Sequence, residues 1–325
     1  MQEYPGPQLP YAGPPYPPPR PPSWFLPTPR GARFDHLART PGARVWQAIV
    51  GTLIVAAGFV AIGVVVVIGF VVATVVLGLP SPVDPVTGIP EPTPLGLAMT
   101  LLSIAPVLLV VFGTAALIQR RRPGTLSSVA GRLRWTWMGR CVGVAVLALI
   151  LGQVAQWAAL SVSGLDSEVL GWSGWSVFLP LIIVIVLLVP FQAAAEEYIF
   201  RGWLLQAVGA HVRNPIWAIV FGSAVFASLH GYSWAGLVDV FSFGAVMAWL
   251  ALRTGGLEAP IALHVVNNVV AFGLSAAAGN LDDALDQGKV PVPWQALTGT
   301  VVQLGVYAFG VMYLAKKRSI STLSG

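Results

Sequence analysis

Eight long apolar runs occupy most of this 325-residue sequence and constrain its fold more than any other feature. The runs are continuous rather than alternating between polar and apolar residues, which favours helices over strands. A helix of about 20 apolar residues crosses the ~30 Å of hydrocarbon in a bilayer. Only helices or closed barrels can cross, because lipid offers no partner to backbone polar groups. The predicted spans are residues 46–79, 95–117, 141–162, 176–210, 215–229, 234–252, 257–278 and 294–314.

The charge content excludes a soluble globule. Hydrophobic residues make up 56% of the chain and charged residues 10%, whereas soluble proteins carry about 25% charged residues. The net charge of +5 does not indicate nucleic acid as a partner, because the basic residues lie between the apolar runs, where they set membrane topology. The single cysteine, Cys141, rules out an intramolecular disulfide. The sequence predicts an all-α, polytopic membrane helix bundle embedded in the lipid bilayer.

The loops between the predicted spans alternate in charge. Basic segments precede the first span, follow the second, fourth and sixth, and end the chain; they hold Arg30, Arg33, Arg39, Arg44, Arg120, Arg121, Arg122, Arg132, Arg134, Arg140, Arg213, Arg253, Lys316, Lys317 and Arg318. The other loops hold Asp84, Glu91, Asp166, Glu168, Asp282, Asp283 and Asp286, with Lys289 as their one basic residue. Because basic loops face the cytoplasm, eight spans with both termini cytoplasmic satisfy the rule, and seven spans would misplace two basic segments. We predict an integral protein of the cell (plasma) membrane.

Composition divides the chain into three parts. Residues 1–44 are rich in proline, which neither continues a helix nor donates to a sheet, so we expect a disordered or polyproline II cytoplasmic tail. The tail could dock on an aromatic groove, but the composition favours a spacer. Residues 45–318 form the transmembrane domain, with the functional core at about 176–275, and residues 319–325 are a second cytoplasmic tail.

Ionisable residues within the spans are the candidate functional groups, because an intramembrane charge costs ~2.5–3.5 kcal/mol on insertion scales. Glu197 and Arg201 are i,i+4 neighbours in the favourable order for an ion pair. Glu196 points about 100° away on the same helix, which leaves it free of Arg201. A partly dehydrated carboxylate suits a general base. The alternative is an ion-pair cluster that only holds helices together.

Two further groups lie near the end of the fifth span and in the seventh. Phe226 and His230 share one helix face, and a histidine there is either functional or an interfacial group satisfied by water. His264 and Asn268 also share a face, from which Asn267 is turned away. A histidine beside an amide could stabilise an oxyanion, or serve as a hydrogen-bonding contact between helices. Asp239 is either a further site residue or an interface residue.

Helix rise tests whether these groups can meet. Glu196 lies about 14 residues from the loop after the fourth span, or ~21 Å, and His230 about 16 residues, or ~24 Å. His264 lies about 8 residues from its own cytoplasmic loop, or ~12 Å. The three meet only if the fourth helix projects beyond the membrane and the Thr254-Gly255-Gly256 loop sits deeper.

The three groups, in this order on successive helices, resemble the CAAX-protease and bacteriocin-processing family of intramembrane proteases. The motifs are Glu-Glu-x-x-x-Arg at Glu196, Phe-x-x-x-His at Phe226 and His-x-x-x-Asn at His264, within about residues 179–270. The resemblance implies hydrolysis of a peptide bond in a membrane-embedded or membrane-associated protein substrate. The resemblance implies that Glu196 would activate the attacking water and that His230 would hold it. It also implies that His264 and Asn268 would stabilise the oxyanion. The residues that would support the site are Glu197, Arg201 and Phe226.

The family that the sequence resembles is commonly classed with the metalloproteases. The resemblance leaves open whether the protein binds a metal cofactor. Zinc or another divalent metal would take Glu196, His230 and His264 as ligands, since catalytic zinc uses three protein ligands and a water. No His-Glu-x-x-His sequence is present, and a metal-free, glutamate-activated water is the favoured alternative. Two other functions remain: a non-enzymatic bacteriocin-immunity or scaffold protein on the same fold, and a transporter. A transporter is disfavoured because the sequence shows no paired repeats.

Overall fold

All regular secondary structure in the computed structural model is helical, over the residues it describes: 2, 23–165, 171–288 and 291–325. The helices are α1 (Val45–Leu77), α2 (Pro94–Leu102), α3 (Val107–Leu117), α4 (Trp135–Val162), α5 (Trp175–Glu197), α6 (Leu205–Gly209), α7 (Pro215–Ser228), α8 (Trp234–Thr254), α9 (Glu258–Ala278), α10 (Leu281–Leu285) and α11 (Leu297–Lys317). The proline-dense stretch 3–22 and the loop charges Asp166, Glu168 and Lys289 lie outside the described residues.

Seven helical segments in the described part of the chain are long and apolar enough to cross a membrane. The chain is an integral membrane protein, and the predicted all-α bundle is confirmed. α2 and α3 together form one such segment around a break at residues 103–106, and α5 continues without interruption into α6. The seven segments are Val45–Leu77, Pro94–Leu117, Trp135–Val162, Trp175–Gly209, Trp234–Thr254, Glu258–Ala278 and Trp294–Lys317.

α7 corresponds to the fifth of the eight predicted spans and differs from the others. It is helical over 14 residues, which is ~21 Å of rise and less than the ~30 Å of a bilayer core. The non-helical residues 229–233 complete the path to α8. Ser233 Oγ in this stretch accepts a hydrogen bond from the Val292 amide, and the Gln287 side chain accepts one from the Gly231 amide.

The loops gather at two ends of the bundle. At one end, which we call the termini side, the Arg134 guanidinium donates to the Thr254 and Ser321 carbonyl oxygens and to the Glu258 carboxylate. The Gly31 amide donates to the Ser324 carbonyl oxygen at the same end. At the opposite side, the Ser173 amide donates to the Ala277 carbonyl oxygen. Counting α7, the described part of the chain traverses the bundle eight times, and Gly31 and Ser324 both lie on the termini side.

Residues 23–44 pack against the bundle. Phe34 and Leu37 are fully buried against the bundle. The Arg39 guanidinium donates to the carbonyl oxygens of Gly209 and Val212, which closes the C-terminal end of α6. The apolar side chains of Phe34 and Leu37 bury surface against the bundle, which stabilises the packing of the segment.

Two glycines allow α4 and α11 to cross at close range. A Cβ added to Gly299 would lie 2.7 Å from Gln156 Cβ and 2.9 Å from the Gly152 carbonyl oxygen. A Cβ added to Gly152 would lie 2.7 Å from Gln303 Cβ. Small residues at facing positions let membrane helices approach this way, and this contact holds α11 against α4.

We expect Gly299→Ala to lower the free energy of unfolding by about 1–3 kcal/mol, the usual cost of overpacking. Gly305→Ala is the matched control, since a Cβ at Gly305 on the same helix meets nothing within 4 Å. The control should be neutral or stabilising by up to about 1 kcal/mol. Unfolding of both variants in mixed detergent micelles measures the difference, and equal stability of the two would contradict the close crossing.

Candidate active site

The two glutamates stand at the end of α5, where the helix changes form. Residues Tyr198–Leu204 are a π-helical segment that joins α5 to α6 and contains Arg201. π-helical turns are rare and frequently mark functional sites. The segment is buried almost throughout, so its side chains point into the bundle rather than into lipid.

Glu197, Arg201 and His264 form one buried network. Arg201 Nη1 donates to Glu197 Oε1 at 3.0 Å, and His264 Nδ1 lies 2.7 Å from the same oxygen. All three residues are buried, with Glu197 fully so. The predicted ion pair between Glu197 and Arg201 is confirmed. Because a carboxylate paired with arginine only accepts hydrogen bonds, His264 Nδ1 carries a proton in this contact.

Glu196 is directed away from Arg201, as its position on the helix predicts. Its Oε1 accepts a hydrogen bond of 2.6 Å from Gln192 Nε2, and its Oε2 lies 3.5 Å from His264 Nε2. The side chain retains 13% of its surface exposed, whereas that of Glu197 is fully buried. Of the two neighbouring carboxylates, Glu196 is therefore the one that a water molecule can reach.

His264 is held between both carboxylates. One ring nitrogen contacts Glu197 and the other faces Glu196. The ring also packs edge-on against Phe243, with centroids 5.3 Å apart, and against Phe226 at 6.3 Å. These contacts fix the ring plane, so His264 presents Nε2 in a set direction.

His230 is half-buried just beyond the end of α7. Its Nδ1 lies 2.9 Å from the Phe226 carbonyl oxygen, and its ring packs on the Phe226 ring with centroids 4.8 Å apart. The expected shared face of Phe226 and His230 is confirmed. Since a carbonyl oxygen only accepts, Nδ1 donates and the neutral ring keeps Nε2 as an acceptor. His230 is joined to His264 through Phe226, which contacts both rings.

Asn268 reaches α5 through a residue that the sequence reasoning missed. Asn268 Nδ2 donates to Gln192 Oε1 at 3.2 Å, and the same glutamine donates to Glu196. Gln192 is buried one helical turn before Glu196. A glutamine in an otherwise apolar run is an unusual signal, but Gln192 carries no charge and lies outside the three motifs.

Arg201 is enclosed by aromatic rings. Its guanidinium carbon lies 4.3 Å from the centroid of Phe226 and 5.9 Å from those of Phe200 and Phe243. Such cation–π contacts stabilise a desolvated cation. A Cβ added to Gly244 would lie 3.2 Å from Arg201 Nη2, so the absence of a side chain there leaves room for the guanidinium.

The relative heights of α5–α6 and α9 along the bundle explain how these residues meet. A Cβ added to Gly202 would lie 3.4 Å from a Leu257 methyl group and 3.3 Å from the Leu126 carbonyl oxygen, so the turn before α9 is level with Gly202. Glu196 lies six residues before Gly202 and His264 seven after Leu257, or ~9 and ~10 Å of rise. Helix α5–α6 continues beyond that turn to Gly209.

The two remaining polar residues lie outside this arrangement. Asn267 Oδ1 accepts a hydrogen bond from Gln303 Nε2 at 3.2 Å, so Asn267 is turned toward α11 as expected. Asp239 Oδ1 accepts one from Thr300 Oγ1 at 2.7 Å, also on α11. Both contacts join α11 to the bundle, which favours the interface interpretation of Asp239.

The expected metal donors are not arranged as a metal site. Within the described residues, no group of three or more His, Cys, Asp or Glu side chains is placed to hold a metal ion. His264 uses Nδ1 for Glu197, and His230 uses Nδ1 for a backbone carbonyl. These contacts leave Nε2 of each ring available, but Glu196, His230 and His264 are not grouped as a three-ligand zinc site among the described residues, and the proposed mechanism uses no metal.

The part of the chain that holds the site matches a known family. The family described as "Type II CAAX prenyl endopeptidase Rce1-like" matches residues 175–270. This region resembles an Rce1-like endopeptidase domain. The Rce1-like region begins at the first residue of α5, ends two residues after Asn268 and covers just under a third of the chain. It contains every residue of the network described above.

One curated relative is similar over a longer stretch. The uncharacterized protein YyaK of Bacillus subtilis (strain 168) is 28% identical over 154 residues, which are 44% of this chain and 51% of that protein. The chain thus spans about half the length of this relative. No solved structure matches the chain. The function proposed below is therefore based on the Rce1-like region, residues 175–270.

Proposed function

We propose that this protein is an intramembrane endopeptidase of the CAAX type, with Glu196 as the base that activates the attacking water. The observation that carries the proposal is the pair of adjacent carboxylates with different surroundings. Glu197 is buried and bound to Arg201 and His264, whereas Glu196 is partly exposed and apart from Arg201. Two neighbouring acids in contrasting environments are a recurring sign that one supports and the other reacts.

The first step is the attack of water on the scissile carbonyl. Glu196 Oε2 removes a proton from the water as its oxygen bonds to the carbonyl carbon. His230 holds the same water through Nε2, the nitrogen that its bond to the Phe226 carbonyl leaves available. General-base assistance of this kind contributes typically 10²–10⁴-fold to a rate.

The second step is stabilisation and collapse of the tetrahedral intermediate. Asn268 Nδ2 and His264 Nε2 donate to the oxyanion. Because Nδ1 of His264 is committed to Glu197, Nε2 donates only in the imidazolium form, whose charge is balanced by Glu197 and by the oxyanion once Glu196 has taken the proton. Protonated Glu196 then gives its proton to the departing amide nitrogen as the carbon–nitrogen bond breaks, and Arg201 and Phe226 keep the network in place.

Substrate and location follow from the same proposal. The substrate is a membrane-embedded or membrane-associated protein, and the family description points to a prenylated C-terminal segment as the first class to test. We place the protein in the plasma membrane with the termini side in the cytoplasm, since the basic segments cluster there. The site then lies in the cytoplasmic half of the membrane.

The test compares the membrane proteome of wild-type cells with that of cells that carry Glu196→Ala. Accumulation of uncleaved precursors in the variant supports the proposal. If the two proteomes agree while a bound partner is retained equally by both proteins, the protein is a scaffold or immunity protein instead. Solute flux in liposomes that contain the wild-type protein would indicate a transporter.

A further inference from the structure

We propose that Gln192 is a positioning residue that orients both the base Glu196 and the oxyanion donor Asn268. The inference rests on the proposed function and extends it to a residue outside the three motifs. Gln192 Nε2 donates to Glu196 Oε1 at 2.6 Å, and Gln192 Oε1 accepts from Asn268 Nδ2 at 3.2 Å. A single side chain thus joins a residue of the first motif to a residue of the last.

The direction of these hydrogen bonds is set by the carboxylate. An ionised glutamate can only accept, so Gln192 must turn its NH₂ group toward Glu196. Its carbonyl oxygen is then fixed toward Asn268, and that oxygen requires a donor. Asn268 must therefore present its NH₂ group rather than its oxygen. The charge on Glu196 fixes the amide orientation of Asn268 through the one glutamine between them.

This orientation serves both steps of the reaction. One N–H of Asn268 is held by Gln192, which leaves the second for an oxyanion, since an amide nitrogen carries two donors. Glu196 has Oε1 bound by Gln192, which leaves Oε2 toward His264 and the water. Without Gln192, the Asn268 amide could turn over and present an acceptor where the reaction needs a donor.

The bundle contains a second glutamine–asparagine hydrogen bond, between Gln303 and Asn267, in which neither residue is a candidate catalytic residue. Gln303 of α11 donates to Asn267 of α9 at 3.2 Å, which matches the Gln192–Asn268 distance. Both pairs join α9 to another helix, and their asparagines are adjacent in sequence. Only Gln192 also contacts a candidate catalytic residue, so Gln303→Leu is a matched control for Gln192→Leu.

The first experiment measures the infrared spectrum of the purified proteins in lipid. The difference between wild type and Glu196→Gln identifies the carboxylate stretching band of Glu196. A hydrogen bond to a carboxylate changes this frequency, so we expect the band to shift in Gln192→Leu and to stay in place in Gln303→Leu. An unshifted band in Gln192→Leu, or an equal shift in both variants, would overturn the inference. This readout does not require cleavage.

The second experiment measures cleavage of a membrane-anchored fluorogenic peptide, taken from a precursor that accumulates in Glu196→Ala cells. We expect Gln192→Leu to lower kcat about 10- to 100-fold with KM nearly unchanged, because a misplacement of about 1 Å at an organised site costs up to about 10²-fold. Gln303→Leu should retain wild-type kcat. Normal kcat in Gln192→Leu alongside an inactive Glu196→Gln would refute the role of Gln192, whereas normal kcat in Glu196→Gln would refute the proposed function itself.

Discussion

The Glu196→Gln protein is expected to fold normally and to cleave its substrate about 10²- to 10⁴-fold more slowly than wild type, the range by which a general base contributes to a rate. Glutamine has the size of glutamate and keeps a carbonyl oxygen for the hydrogen bond from Gln192. It has no carboxylate to take a proton from water. The substitution thus removes the proposed chemistry and leaves the local contacts largely in place.

The measurement is single-turnover cleavage in proteoliposomes, with the same protein assayed for thermal stability. Glu91→Gln is the control, because Glu91 is a carboxylate in the loop before α2 and takes no part in the network around Glu196. We expect the control to cleave at the wild-type rate. Retention of more than a tenth of the wild-type rate by Glu196→Gln, with the control unchanged, would remove Glu196 from the role of base.

Much of the fold could be predicted because membrane helices are specified locally. A long continuous apolar run is helical in lipid, because only as a helix can a single segment satisfy its own backbone polar groups. The exceptions depend on tertiary contacts. α7 ends at Ser228 and a non-helical stretch follows, as the contact of Ser233 with Val292 illustrates. Residues 23–44 are ordered because Phe34 and Leu37 find a surface made by distant helices, which residue composition alone does not reveal.

The site was predictable where one helix determines the geometry. The i,i+4 spacing fixed the Glu197–Arg201 pair and the contact between Phe226 and His230. Contacts between helices were not predictable in the same way. Nothing in the spacing indicates that His264 bridges both carboxylates, because that depends on how α9 lies against α5. The π-helical segment after Glu197 was likewise missed, since it has no reliable sequence signature.

The buried ion pair between Glu197 and Arg201 supports the site and also affects the stability of the fold. Glu197 and Arg201 are both buried, and the guanidinium is surrounded by aromatic rings. A charge in such surroundings is tolerated because its partner is present. Removing one partner leaves the other uncompensated, which costs about 3–5 kcal/mol in buried pairs, whereas replacing both by neutral groups is often nearly neutral.

We therefore expect Glu197→Gln and Arg201→Met each to lower the free energy of unfolding by about 3–5 kcal/mol. The double variant should lose clearly less than the sum of the two single losses, because it leaves no unpaired charge. Arg253→Met is the control, since Arg253 is exposed at the end of α8, and it should change stability by less than about 0.5 kcal/mol. Reversible unfolding in mixed micelles gives all four values. Additive losses would show that the two charges stabilise the bundle independently of each other. Glu197 would then have no electrostatic role in holding Arg201, or in holding His264, which contacts the same carboxylate oxygen.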